Sequence, residues 1–136
     1  MKFKMKKLFL LLASIVAVCS CDKENSKIDP SLVNVEIELS CIDEEPYGSF
    51  NTEHTILCTG KIGGFVGEAT VRIRTSSFPY FSTSKSVSVA GESTSFSFTF
   101  KGSADSDYNN KPMTFDVEVV GPNYQELFRS SVVVYL

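Results

Sequence analysis

From Val33 onward the chain repeats with a period of two. Val33, Val35, Ile37, Leu39 and Cys41 fall on one side, with Asn34, Glu36, Glu38 and Ser40 on the other. Phe96, Phe98 and Phe100 alternate with Ser95, Ser97 and Thr99, and Phe115, Val117 and Val119 alternate with Asp116 and Glu118. Successive side chains of a strand point to opposite faces, so this pattern sets one face on a core and the other in water. That is the demand of half-buried antiparallel strands. After the first twenty residues no window carries a 3.6-residue apolar stripe, so helix is expected to be nearly absent.

Turn residues cut this body into about seven strands, near residues 33–42, 54–62, 69–77, 83–90, 93–101, 113–121 and 127–136. Ala90-Gly91-Glu92 and Gly121-Pro122-Asn123 are expected to be short hairpin connections, and Lys61-Ile62-Gly63-Gly64 to close the second strand. Residues 43–53 and 102–112 are expected to be the longest loops. Seven short strands in about a hundred residues predict an all-β fold, an antiparallel two-sheet sandwich. The last strand, Ser130 to Leu136, fits an edge or a paired central position equally well.

The N-terminus has a different grammar. Lys2, Lys4, Lys6 and Lys7 precede an apolar run from Leu8 to Val18, followed by Cys19-Ser20-Cys21. A basic start, a short apolar stretch and a small residue before a cysteine form the layout of a secretory signal. The run is shorter than the roughly 20 residues needed to span a bilayer. These residues resemble a bacterial lipoprotein signal, cut just before a cysteine that carries diacylglycerol. Cutting before Cys21 puts small Ser20 in the peptidase pocket, whereas cutting before Cys19 would put branched Val18 there, so Cys21 is the expected lipidation site. The resemblance implies acyl chains (palmitate among them) as a membrane anchor. The Ser-Cys-Asp-Lys-Glu junction is similar to small lipoproteins of Bacteroidetes-type bacteria, which implies export to the cell envelope and the outer membrane. The expected organisation is a signal over residues 1–20, a polar tether over 21–32 and a β-sandwich over 33–136.

Loss of residues 1–20 leaves 116 residues, enough for one domain. Nine Lys and Arg then face sixteen Asp and Glu, a net charge of −7. Nucleic acid is excluded as a natural partner on that charge. Cys41 and Cys58 form an even pair in an exported chain, so a disulfide is expected. A hairpin of the first two strands turning around Gly48-Ser49, in the register where positions summing to 99 face each other, would set them opposite one another. No cofactor is expected, and with His54 the only histidine, a Cys/His metal site lacks ligands.

In the second half, Ala90-Gly91-Glu92-Ser93-Thr94, the segment from Pro112 to Val119, and Ser130 to Tyr135 resemble immunoglobulin-like and fibronectin type III-like sandwich domains. The resemblance implies that an aromatic followed by alternating valines marks the penultimate strand and that a Ser/Val-rich strand closes the fold. The chain departs from the pattern in having no tryptophan, and Phe115 lacks the hydroxyl of a tyrosine corner.

Catalysis requires convergent polar groups, and few are offered. His54 sits beside Glu53 and Thr55, where it is expected to face solvent. Asp43-Glu44-Glu45 could supply paired carboxylates for glycoside chemistry, but loop carboxylates of this kind are expected to stay solvated. Ser82, Ser84, Ser86 and Ser88 fit the wet side of a sheet. Asp105, Asp107 and Asn109 place oxygens at alternate positions, as a calcium loop begins, but Asn110 stands where the sharp turn needs glycine and Pro112 interrupts it. Candidate contacts to a protein or glycan are Tyr47, Phe78, Tyr80, Phe81 and Tyr124, since exposed aromatics bury much area at small entropic cost. The Phe78-Pro79-Tyr80-Phe81 cluster can alternatively fold inward as a corner of the core. The expected role is a non-enzymatic binding or structural one at a membrane surface, with a carbohydrate-binding module as the chief alternative and a small enzyme the remote one.

Overall fold

The computed structural model describes residues 27–136. The expected signal, Cys21 and the start of the tether lie outside the described residues. Seven strands follow a short 3-10 turn: β1 (Asn34–Tyr47), β2 (Asn51–Gly63), β3 (Val66–Thr75), β4 (Ser82–Ala90), β5 (Thr94–Asp105), β6 (Pro112–Val120) and β7 (Glu126–Tyr135). They form two antiparallel sheets, one ordered β1-β2-β5 and the other β4-β3-β6-β7. This is an immunoglobulin-like sandwich. Its fourth strand pairs with the third, whereas in the constant-type arrangement it joins the sheet of the first, second and fifth.

The period-two pattern decides which side of each strand turns inward. Ile56, Cys58 and Ile62 of β2 meet Val71 and Ile73 of β3 and Phe115, Val117 and Val119 of β6 in a fully enclosed core. Phe115 anchors it, with the rings of Phe81 and Phe100 approaching edge-on at 5.9 and 6.2 Å. Phe96 and Phe98 lie farther down β5 at the edge of their sheet, half-buried and stacked at 6.1 Å. On the outer face, Arg72, Glu118 and Arg129 stand in register across β3, β6 and β7. Glu118 binds both guanidinium groups at 2.8 Å, its own side chain largely covered while the two arginines stay about half exposed. The last strand lies at an edge, as one of the two positions left open by its sequence.

Three sequence expectations need correction. The link at Ala90-Gly91-Glu92 is no hairpin: β4 pairs with β3 and β5 with β2, so the chain crosses between sheets there. The expected long loop at residues 43–53 is mostly strand, because β1 and β2 continue to a tight turn around Gly48, whose φ of +77° suits glycine. Third, the expected disulfide is absent, and Cys41 and Cys58 are free thiols. The hairpin pairs Leu39 with Cys58 and Cys41 with Ile56, and a bulge at Ile42 shifts the register between Cys41 and Asp43. The two cysteines are therefore one inward position out of step. A bulged strand carries an extra residue that alternation alone does not announce.

Strand direction sorts the connections onto two ends. Residues 27–33, the β2–β3 link, the β4–β5 link and the β6–β7 turn share one end. There the Ile28 N–H donates to the Gln125 side-chain carbonyl at 2.9 Å, and the Gln125 amide donates back to the Ile28 carbonyl at 2.7 Å. The β1–β2 turn, the β3–β4 loop and the β5–β6 loop share the opposite end, where Ser106 N–H donates to the Phe50 carbonyl at 2.8 Å. The chain thus enters the domain at one pole, and three loops crown the other.

Candidate functional site

The β3–β4 loop (76–81) interrupts the alternation at Ser76 and Ser77 and resumes it from Phe78 to Phe81. Phe78 and Tyr80 point outward, 66% and 74% exposed, while Pro79 and Phe81 point inward and are almost completely buried. The cluster therefore divides between the two sequence readings. Phe81 is a core residue, not a contact, which corrects its place among the candidates; Phe78 and Tyr80 remain surface groups.

Thr75 fixes this division. Its hydroxyl donates to the Pro79 carbonyl at 2.9 Å and accepts from the Phe81 N–H at 3.0 Å, both within the interior. Its own N–H donates to the Phe81 carbonyl at 3.0 Å. The Phe81 ring lies flat over Gly102, where a Cβ would come within 2.6 Å of the ring. Only glycine at position 102 leaves room for it. With its inward residues locked, the loop presents Phe78 and Tyr80 as an edge-to-face pair, 5.8 Å between centroids and 83° between planes.

Next to it is a cleft of about 580 Å³ lined by Phe78, Asp105, Asp107, Tyr108, Lys111 and Pro112. The aromatic cluster and the acidic segment, 27 residues apart in sequence from Phe78 to Asp105, come together here. The β5–β6 loop is held in shape by local bonds. Asp105 caps the 3-10 turn Ser106–Tyr108 by accepting the Asp107 N–H at 2.9 Å. Ser106 meets the Thr52 hydroxyl at 3.1 Å, and Asn110 N–H donates to the Leu136 carbonyl. Asn109 Oδ1 is enclosed without a partner. One Asp105 oxygen thus serves the turn, while Asp105 and Asp107 both line the cleft and the Asn109 oxygen is enclosed. Among the described residues no group of three acidic, cysteine or histidine side chains is arranged to hold a metal.

Of the remaining candidates, Tyr47 is exposed at the β1–β2 turn of this same pole, whereas Tyr124 is exposed in the β6–β7 turn at the other. The structure adds Tyr108 and Lys111 to the cleft, and exposed Phe50 to the same end. The strand parity of residues 78–81 was the available signal for the outward pair. Nothing in the sequence pointed to Lys111.

His54 is also corrected. It lies within β2 on the inward side, wholly buried, because β2 begins three residues earlier than expected. Its Nδ1 is 3.8 Å from Cys41 Sγ, and its Nε2 has no hydrogen-bond partner. Burial holds the imidazole below its usual range, opposed in part by Glu44. Burial pushes the Cys41 thiol up, opposed by a hydrogen bond with the Asp43 backbone and reinforced by the charges of Glu44 and Asp43, and burial alone pushes Cys58 up to about 12. A neutral thiol beside a neutral imidazole is the reverse of the charged pair that activates a nucleophilic cysteine.

The histidine makes stability depend on pH with a definite sign. The unfolded imidazole takes up a proton near pH 6.5, whereas the folded one resists it. Stability should therefore fall as pH drops below about 6.5, by at most about 1.4 kcal/mol per unit for this group, until the lowered folded value is reached. In urea titrations at pH 7.5 and 5.5, His54→Phe should lose less stability than the parent protein. Equal losses would show that the imidazole contributes nothing in this window.

No family model matches this chain, and no curated protein matches it. Solved structures do. A structural genomics target designated SoR45 aligns at 9% identity over 79% of this chain and 89% of its own, with a TM-score of 0.46. OgpA from Akkermansia muciniphila aligns at 18% identity over 74% of this chain, with a TM-score of 0.37. A β-glucosidase from Kluyveromyces marxianus aligns at 13% identity over 75% of it, with a TM-score of 0.29. This chain spans only 27% of OgpA and 15% of the β-glucosidase.

Proposed function

We propose that this chain is a lipid-anchored cell-envelope lipoprotein, tethered through Cys21, whose immunoglobulin-like domain binds a partner without catalysing a reaction. The supporting observation is polarity: residues 27–33 join the domain at the pole opposite to Phe78, Tyr80 and the cleft. From Cys21 to Ile28 the chain can extend at most about 25 Å. The strands then carry the loop-bearing end roughly 40 Å farther, as expected from the length of β1. An anchor at one pole and an exposed aromatic pair at the other is the geometry of presentation away from a surface. Acyl chains would supply the retention, at about 0.8 kcal/mol for each buried methylene.

Mass spectrometry of protein extracted from the membrane fraction of the native host, after alkylation under denaturing, non-reducing conditions, tests this reading. The expected product begins at Cys21, carries acyl chains there and has both Cys41 and Cys58 alkylated. A mature chain with an unacylated start elsewhere would remove the anchor and with it the proposal. A mass short by two hydrogens with neither thiol modified would instead restore the disulfide.

A further inference from the structure

We infer that the cleft between the β3–β4 and β5–β6 loops binds a neutral glycan, with the Phe78–Tyr80 pair as the stacking surface. This rests on the binding role proposed above and names its ligand class. Sugar rings have apolar C–H faces and hydroxyl rims, and the cleft answers both. Phe78 lines the cleft as an aromatic wall, and Tyr80 stands edge-to-face with it just beyond the lining, where it extends the aromatic surface. Asp105 and Asp107 accept hydroxyl protons, while Lys111 donates and the Tyr108 hydroxyl can do either. One Asp105 oxygen serves the Asp107 N–H, leaving carboxylate acceptor sites for a ligand.

The charges narrow the ligand further. Two carboxylates and one ammonium line the cleft, and the chain from Cys21 onward carries −7. A uronic acid or sulfated glycan would meet repulsion from Asp105 and Asp107 and from the net negative charge of the chain. A ligand that is amphipathic and uncharged escapes it. Its volume suits the cleft too, since about 580 Å³ exceeds a single hexose ring and falls within the usual range for small-molecule sites.

Isothermal titration calorimetry on the full chain in detergent, with neutral gluco-, manno- and galacto-hexasaccharides as probes, tests the inference. At least one should bind, and an oligogalacturonate of equal length should bind at least tenfold more weakly. Phe78→Ala and Tyr80→Ala should each weaken binding about tenfold, equivalent to about 1.4 kcal/mol. Both side chains are exposed, so unchanged melting temperatures should accompany the loss. Tyr124→Ala, at the opposite pole, should leave affinity unchanged. Failure of every neutral probe, binding insensitive to Phe78 and Tyr80, or a preference for the anionic probe or for oligolysine would overturn the assignment. None of these outcomes bears on the lipid at Cys21, which is read separately by mass.

Discussion

Phe81→Ala should destabilise the domain by about 3–5 kcal/mol, the usual cost of emptying a buried phenylalanine site. The ring packs on Gly102, faces Phe115 edge-on and stands 6.3 Å from His54, so its removal opens a void shared by both sheets. The inward side of Gly102 has no side chain with which to refill it. Chemical denaturation of the variant should show a lower midpoint with little change in slope. A loss under 1 kcal/mol would mean that the surrounding residues collapse freely into the space. Because Phe81 roots the β3–β4 loop, the variant should also loosen the outward pair even where the domain still folds.

Thr75→Val should follow closely. Valine keeps the shape and removes the hydroxyl, leaving the Phe81 N–H without its acceptor and the Pro79 carbonyl without its donor. Each orphaned buried group costs about 1–3 kcal/mol. Thr75→Ser, which retains the hydroxyl, should recover most of that loss. This contrast separates hydrogen bonding from packing: equal effects of Val and Ser would put the energy in the methyl group. Amide exchange gives a second readout, since the Phe81 N–H should be strongly protected in the parent protein and exposed to exchange in the valine variant.

The architecture was largely legible in the sequence because burial in a half-wet sheet writes itself as alternation. Phe115-Asp116-Val117-Glu118-Val119 gives β6 both its existence and its facing, and the structure places all three apolar members in the core. What alternation omits is long-range. Nothing in Ser82 to Ala90 tells whether that strand joins β3 or β5, since both partners offer the same pattern. Nor does the parity of β1 reveal the bulge at Ile42, which supplies one of the two residues of register between the expected cysteine pairing and the observed one.

The candidate site was legible in its parts and hidden in its assembly. Phe78, Tyr80, Asp105 and Asp107 were each identifiable by type. Their convergence depends on β3 and β5 ending at the same pole of different sheets, a property of topology that no local window contains. His54 shows the opposite case: polar neighbours suggested a loop, while its even spacing from Ile56 and Cys58 was the better guide. The inward row simply continued through a polar residue.

The pairing of distant segments also bears on how the domain comes together in time. Arg72 meets Glu118 and Ile56 meets Phe100, so the central contacts of both sheets span more than forty residues of chain. Folds dominated by such pairings close in milliseconds to seconds, far more slowly than helical bundles. Both sheets therefore stay open until β5 and β6 have arrived at β2 and β3.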